Sequence, residues 1–184
     1  RGLGSTASSM SCPSSEGFFA SGCHLHHSLA DAATGHNFFI AEAGPEILSA
    51  PGRSFLAGLI AHAPPATAFA TPTVNGYIRF RVNSLAPDRA TWGFDHRGAM
   101  VRVLGGPGDP GTRLENRAAE PAANPYLFIA SQIAAGFDGI ERELEPPPAD
   151  DAPYRAARPM LPATPDAAIS VLEGKCIFLD AICE

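Results

Sequence analysis

Charge is scarce in this chain: Asp, Glu, Lys and Arg make up only 17% of its 184 residues. That is too little for a disordered tail or a coiled coil. Basic excess is missing as well, since the formal net charge is −6. A general nucleic-acid or anionic-membrane binder needs a net basic footprint, so neither partner is expected. No apolar run reaches membrane-spanning length, and Arg1-Gly2-Leu3-Gly4 opens without the hydrophobic stretch of a signal peptide. Cys12, Cys23, Cys176 and Cys183 form no C-x-x-C pair and no zinc-finger spacing. They read as free thiols in a reducing compartment, and the expected location is the cytoplasm. The glycine-rich stretch 105–111 lacks the G-x-x-x-x-G-K-[ST] pattern of a phosphate loop, so it reads as a hairpin connection.

What is present is a 45% hydrophobic composition, enough for one domain with a core, interrupted by 18 prolines and 18 glycines. The chain starts without methionine and stops just after an apolar segment, so both ends read as cut from something longer. Residues 1–20 show no periodicity and read as loop or damaged strand. Cys23 to Leu29 alternates as a strand with His24, His26 and Ser28 on one face and His27 on the other. Arg53 to Ala63 reads as a short helix that Pro64-Pro65 ends, and Thr71 to Gly76 as a turn. Gly98 to Leu104 and Thr112 to Arg117 read as strands. Asn124-Pro125 is a helix start, followed by an apolar stripe of Ile129, Ile133, Phe137, Ile140 and Leu144. Residues 146–165 form a proline-rich surface excursion, and 166–182 a weak final helix.

Seven of the thirteen basic residues fall between Asn75 and Tyr126, and all seven are arginines: Arg79, Arg81, Arg89, Arg97, Arg102, Arg113 and Arg117. Guanidinium forks suit phosphate and carboxylate oxyanions, while imidazoles with a carboxylate suit a divalent metal. Arg113, Glu115 and Arg117 share one strand face. Two readings stay open for them: a surface salt-bridge ladder, or a metal-binding carboxylate beside arginines that hold an anionic substrate. Arg102 sits in an otherwise apolar strand, where an unpaired charge is expensive. Its partner is Glu120 or Asp95 on a structural reading, or a ligand phosphate on a functional one. Together these groups read as half of a site for metal-assisted phosphoryl chemistry on an acidic substrate.

These motifs resemble the glutamine synthetase family. Ser21-Gly22-Cys23-His24-Leu25-His26-His27-Ser28-Leu29 is similar to that family's G-S-G-M-H-x-H-x-S-L segment, and Thr71 to Arg79 to its N-P-T-x-N-S-Y-K-R stretch. Arg97 to Arg102, Arg113-Leu114-Glu115-Asn116-Arg117 and Glu120 to Tyr126 follow in the family's order. The resemblance covers about residues 20–145. It implies an α+β fold, an antiparallel sheet with packed helices of the glutamine synthetase/guanido kinase-like type. Residues 1–184 would then be a partial catalytic domain without the amino-terminal β-grasp domain, the early catalytic strands and the last carboxy-terminal helices.

By the same resemblance His24 and Glu115 would bind the metal at the ATP phosphates, and His26, Ser28, Arg102 and Arg113 the nucleotide. Arg79 and Arg117 would hold glutamate, with Arg79 and Arg97 acting in catalysis and Arg97 at the transferring phosphoryl group. The implied activity is that of an ATP- and Mg²⁺- or Mn²⁺-dependent carbon–nitrogen ligase. It would join glutamate to ammonia or an organic amine through γ-glutamyl phosphate, and full-length relatives are homo-oligomeric rings. The alternative is a non-catalytic remnant retaining only nucleotide or anion binding. One departure bears on the substrate: the acid of the family's Y-E-A-P flap falls at Leu85 in Asn83-Ser84-Leu85-Ala86-Pro87. A leucine neither attracts nor deprotonates ammonium, which tilts the resemblance toward γ-glutamyl-amine ligases, including γ-glutamylpolyamine synthetases. Two other departures, Phe19-Ala20 and Met10 to Ser14, lie where the family has a glutamate-contacting loop and an F-M-P-K-P segment.

Overall fold

The computed structural model describes residues 20–81, 84–174, 177, 178 and 180. The expectations for the Met10 to Ser14 segment and for Phe19 therefore lie outside the described residues. So do Cys12, Cys176 and Cys183, while Cys23 is an exposed free thiol.

Four short strands form one sheet in the order β1-β4-β3-β2, with β1 at Leu25–His27, β2 at Trp92–Phe94, β3 at Val101–Leu104 and β4 at Arg113–Asn116. The β1–β4 and β3–β4 pairs are antiparallel, as expected, and β3–β4 is the hairpin around the glycine-rich connection. The α+β reading holds with one difference: β2 pairs parallel to β3, so the sheet is mixed at that edge. Asp95, with a left-handed φ of 48°, turns the chain out of β2, and the Ala99 N–H bonds the His96 carbonyl to fold it back. The connection 95–100 is far shorter than the crossover that parallel neighbours usually need.

Strand alternation gives the sheet two unlike faces. Val101, Val103 and Leu114 are buried on one face, where Asn116 Nδ2 also donates to Gln132 Oε1 at 2.6 Å. Helices cover this side. The other face carries Arg102 and Glu115, which the register places opposite each other.

Helix α1 (Ala50–Ala61) starts at Ser49, whose hydroxyl accepts from the Gly52 N–H, with Pro51 in the first turn. Pro64-Pro65 does not end the helical path. Helix α2 (Ala63–Ala70) begins at once, and both prolines sit in its first turn, where no intrahelical N–H is required. The expected turn at Thr71–Gly76 becomes the one-turn helix α3 (Val74–Tyr77), capped by the Thr73 hydroxyl. Helix α4 (Pro125–Glu141) starts as the Asn124-Pro125 pair predicts, with Asn124 Oδ1 accepting from the N–H groups of Tyr126 and Leu127. Helix α5 (Pro165–Glu173) is the described part of the final helix.

The apolar stripe of α4 packs only toward its end, where Ile140 lies against the core and Leu144 is half-buried. Ile129, Ile133 and Phe137 are 41%, 46% and 44% exposed, whereas Ser131, Gln132, Ala135, Gly136 and Gly139 are buried. The cause is contact distance. A Cβ at Gly58 of α1 would stand 2.0 Å from the Ala135 carbonyl oxygen, and one at Gly139 2.1 Å from that of Ser54. The two helices approach so closely that only their glycine faces fit. His62 Nε2 and Asp138 Oδ2, 2.7 Å apart, tie the α1–α2 junction to the end of α4.

The proline-rich excursion is a strap along β2. Asp150 N–H donates to the Trp92 carbonyl, Trp92 Nε1 to that of Pro147 at 2.7 Å, Ala90 N–H to Pro159, and Leu161 N–H to Asp88.

Candidate active site on the charged face of the sheet

The centre of the charged face is Glu115. His26 of β1 and Arg102 of β3 are its register partners on either side, so three consecutive strands set three polar side chains in one row. The β1–β4 pairing continues past the strand through the Cys23 N–H and the Ala119 carbonyl, which brings His24 into line with Arg117. Glu115 Oε1 lies 2.7 Å from Arg117 Nη1, 3.0 Å from His24 Nδ1 and 3.8 Å from His26 Nε2. Oε2 accepts from Arg102 Nη1 at 2.9 Å. Arg102 also pairs with Asp95, while Arg113 Nε donates to His26 Nδ1 at 3.2 Å.

Arg113, Glu115 and Arg117 thus form neither a surface ladder nor three isolated groups. Glu115 and Arg117 are buried, and both oxygens of the carboxylate are engaged. Of the partners considered for Arg102, Asp95 is one. Glu120 is not: it is fully buried and takes hydrogen bonds from the Thr73 N–H and hydroxyl, both at 2.8 Å. Gly76 makes room for that carboxylate, because a Cβ there would stand 2.5 Å from it. Burial, with the Glu120 charge adding to it, pushes the nearby Tyr77 phenol up to about 12.

Burial alone would raise the Glu115 pKa, but the hydrogen bond from Arg102 and the charges of Arg117 and Arg102, joined by that of His24 whenever it is protonated, outweigh it and hold the group below its ordinary range. His24 is lowered, first by burial and then by Arg117, with Glu115 opposing. The lowering favours the neutral imidazole, the form in which a histidine binds a metal. Burial lowers Arg102 too, yet its bonds to Asp95 and Glu115 leave it raised.

Arg79 is buried and donates from Nη1 to the Ala118 carbonyl at 3.1 Å. Its other terminal nitrogen, together with His24 Nε2, closes on Gly22: a Cβ there would stand 2.9 Å from Arg79 Nη2 and 2.7 Å from His24 Nε2. Arg79, Arg117 and His24 line a cavity of about 170 Å³ whose remaining wall is Ala20, Gly22, Ser84, Leu85 and Ala86. The lining sets the two guanidiniums and the imidazole beside small and apolar residues, of which Leu85 is about half exposed at 47%. Leu85 has a left-handed φ of 62°, and its carbonyl accepts from Arg117 Nη2 at 3.4 Å.

Two sequence candidates stand apart from this cluster. Arg97 is exposed in the turn after β2, and no ion pair is seen for it among the described residues. Ser28 lies beyond the end of β1 and lines an apolar cleft with Leu29, Phe55 and Ile133. Tyr154, by contrast, carries no sequence signal inside a proline-rich stretch, yet its hydroxyl donates to the Ala86 carbonyl at 3.2 Å.

Among the described residues no group of three or more His, Cys, Asp or Glu side chains could hold a metal ion by itself. His24 and Glu115 offer two donors 3.0 Å apart, about the spacing of adjacent ligands each roughly 2.1 Å from one ion. That pair fits a divalent cation arriving with anionic oxygens of its own, because Arg79, Arg102, Arg113 and Arg117 would otherwise repel it.

Residues 2–183 match the family model described as the catalytic domain of glutamine synthetase. The chain belongs to the glutamine synthetase family. It is 48% identical over 168 residues to a gamma-glutamylanilide synthase from Acinetobacter sp, covering 91% of this chain and 33% of that protein. A glutamine synthetase from Thermus thermophilus is 42% identical over 132 residues, 72% of this chain and 29% of that one. A glutamate–isopropylamine ligase from Pseudomonas sp is 40% identical over 143 residues, 78% and 30% of the two chains. The solved structure of apo GmaS without ligand superposes with a TM-score of 0.81 at 36% identity, covering 95% of this chain and 40% of that chain. The chain spans about a third of the length of the curated relatives it matches.

Proposed function

We propose that this chain supplies the arginine-rich half of the active site of a glutamine synthetase-type ligase, one that joins the γ-carboxyl of glutamate to an organic amine at the expense of ATP. The observation that carries the reading is the cavity that Arg79 and Arg117 line together with Leu85 and Ala86. Buried guanidiniums suit the carboxylates of glutamate. The apolar part of the lining suits a hydrocarbon substituent on the acceptor, and a leucine there offers nothing to ammonium. Relatives named for an anilide product and for an isopropylamine substrate support an organic acceptor. Among the described residues the charged side chains of the cavity wall are Arg79 and Arg117.

In this reading a γ-carboxylate oxygen of glutamate attacks the terminal phosphorus of ATP, and the bond to the ADP oxygen breaks. The amine nitrogen then attacks the acyl carbon, phosphate leaves, and the amine gives up a proton. Arg102 and Arg113 face the nucleotide side, and His26 is oriented by the Arg113 Nε–H. Arg97 stands in an exposed turn from which it reaches the transferring phosphoryl group once substrates are bound. His24 and Glu115 would hold a Mg²⁺ or Mn²⁺ ion, whose role is to neutralise phosphate charge. In this reading the remaining metal ligands and the base would come from beyond the described residues.

The test is an amine panel with the protein that carries this chain, using ATP, glutamate and Mn²⁺ or Mg²⁺, with products identified by mass. The expected result is a γ-glutamyl amide of an aromatic or branched alkyl amine formed in preference to glutamine. ATP binding without glutamate-dependent ADP release would replace the ligase reading with that of a nucleotide-binding remnant.

A further inference from the structure

Leu85 occupies a backbone region that a branched side chain rarely adopts, and such a conformation persists only where the surroundings enforce it. Three contacts do so. The Ser84 hydroxyl lies 2.8 and 2.7 Å from the carbonyls of Arg79 and Arg81 and 3.3 Å from the Ala86 N–H. Arg117 Nη2 reaches the Leu85 carbonyl at the long distance of 3.4 Å. The Ala86 carbonyl is held from outside the loop, by the Tyr154 hydroxyl at 3.2 Å.

Tyr154 is itself well fixed. It lies on the single 3₁₀ turn of the strap, Pro153–Arg155. Arg158 Nε pairs with Asp150 Oδ1 at 3.1 Å, Arg89 Nη1 donates to the Ala156 carbonyl at 2.9 Å, and the Ala90 N–H to that of Pro159. The Tyr154 ring rests on the turn that carries Arg97: a Cβ at Gly98 would stand 2.9 Å from its Cε2 atom. One side chain therefore touches both the loop that presents Leu85 and the turn that presents Arg97, and it comes from a strap tied down along β2.

We infer that Tyr154 is a positioning residue for acceptor selection: it holds the 84–87 loop so that the Leu85 side chain lines the Arg79–Arg117 cavity. The inference rests on the ligase reading above. Tyr154 does not line that cavity and takes no part in the reaction. Losing its hydroxyl frees the Ala86 carbonyl and lets Leu85 relax out of the left-handed region. Leu85 then retreats from the cavity while the row of His26, Glu115 and Arg102 stays in place, because the sheet ladder fixes that row.

The experiment compares the parent protein with Tyr154→Phe and, independently, Gly98→Ala, whose added methyl pushes the ring off its seat. Amide hydrogen exchange and steady-state kinetics are read on the same preparations. The expected result in both variants is faster exchange across 84–88 with none gained in 101–104 or 113–116. The KM for the preferred amine should rise about tenfold, the effect of one lost hydrogen bond, while the KM for ATP stays unmoved. Unchanged exchange at 84–88 would show that Tyr154 does not hold the loop. Faster exchange with an unchanged amine KM would show that the held loop does not select the acceptor. Either result overturns the inference. If no amine yields a γ-glutamyl product even with the parent protein, the ligase reading fails and acceptor selection with it. The exchange arm still decides whether Tyr154 holds the loop.

Discussion

Arg117 Nη1 stands 2.7 Å from Glu115 Oε1, two residues apart on the same strand face, and both side chains are buried. Arg102 takes the other carboxylate oxygen at 2.9 Å. One anion thus holds two guanidiniums away from water, an arrangement that costs desolvation and is restored only by full hydrogen bonding.

Glu115→Gln keeps the shape and removes the charge. Because Arg102 retains Asp95 and Arg117 retains the Leu85 carbonyl, the expected loss is at the low end for a broken buried pair, about 3 kcal/mol. Urea unfolding of parent and variant reads it directly. A loss under about 1 kcal/mol would mean that the cluster is solvated like a surface pair.

The α1–α4 contact predicts a larger effect from a smaller change. Gly58→Ala would place a methyl carbon 2.0 Å from the Ala135 carbonyl oxygen, which is backbone and has nowhere to go. The helices must separate, at a cost above the usual 1–3 kcal/mol or so of overpacking. Alanine ordinarily favours a helix over glycine by about 1 kcal/mol, so a variant as stable as the parent would contradict the close approach.

That contact also marks where the sequence stops being readable. Asn124-Pro125 announces the start of α4, and alternation puts His24 and His26 on the face that meets Glu115. Counting apolar residues nonetheless picks Ile129, Ile133 and Phe137 as the buried stripe, because hydrophobicity says nothing about how close two backbones can come. Glycine and alanine decide that here. Pro64-Pro65 misleads for a related reason: proline breaks a helix interior but opens a first turn, and only the location of the new helix start distinguishes the two. The pairing of His26, Glu115 and Arg102 depends on the register of strands three and four residues long, far apart in sequence. Tyr154 depends on where a proline-rich strap lies in space.

Leu85→Glu places a carboxylate in the lining of the cavity with Arg79 and Arg117. In the protein carrying this chain it is expected to lower the KM for ammonium by about tenfold and to raise that for an apolar amine, as a charge placed near a cationic substrate should. The comparison is between kcat/KM values for the two acceptors. Unchanged ammonium kinetics would remove Leu85 from the account of acceptor choice.

His27 supplies the pH dependence. It points away from its neighbours His24 and His26, its ring centroid lies 5.4 Å from that of Phe55, and neither ring nitrogen has a hydrogen-bond partner among the described residues. Burial, against a weaker opposing interaction with the Leu25 backbone, lowers its pKa from 6.5 to about 4. The folded pKa lies below the unfolded one, so the unfolded chain binds the extra proton in between. The contribution of His27 is therefore fully present above 6.5 and is lost as pH falls toward 4. At pH 5 the loss is about 2 kcal/mol, from the relation of roughly 1.4 kcal/mol per pKa unit. His27→Phe removes this titration and leaves the depressed His24, Glu115 and Asp138 in place. The difference in unfolding free energy between variant and parent should thus shift toward the variant by about 2 kcal/mol between pH 7 and pH 5. Any packing cost of the larger ring enters equally at both pH values. A difference that does not change with pH would mean that His27 is protonated in the fold at pH 5, and so is neither dry nor unpartnered.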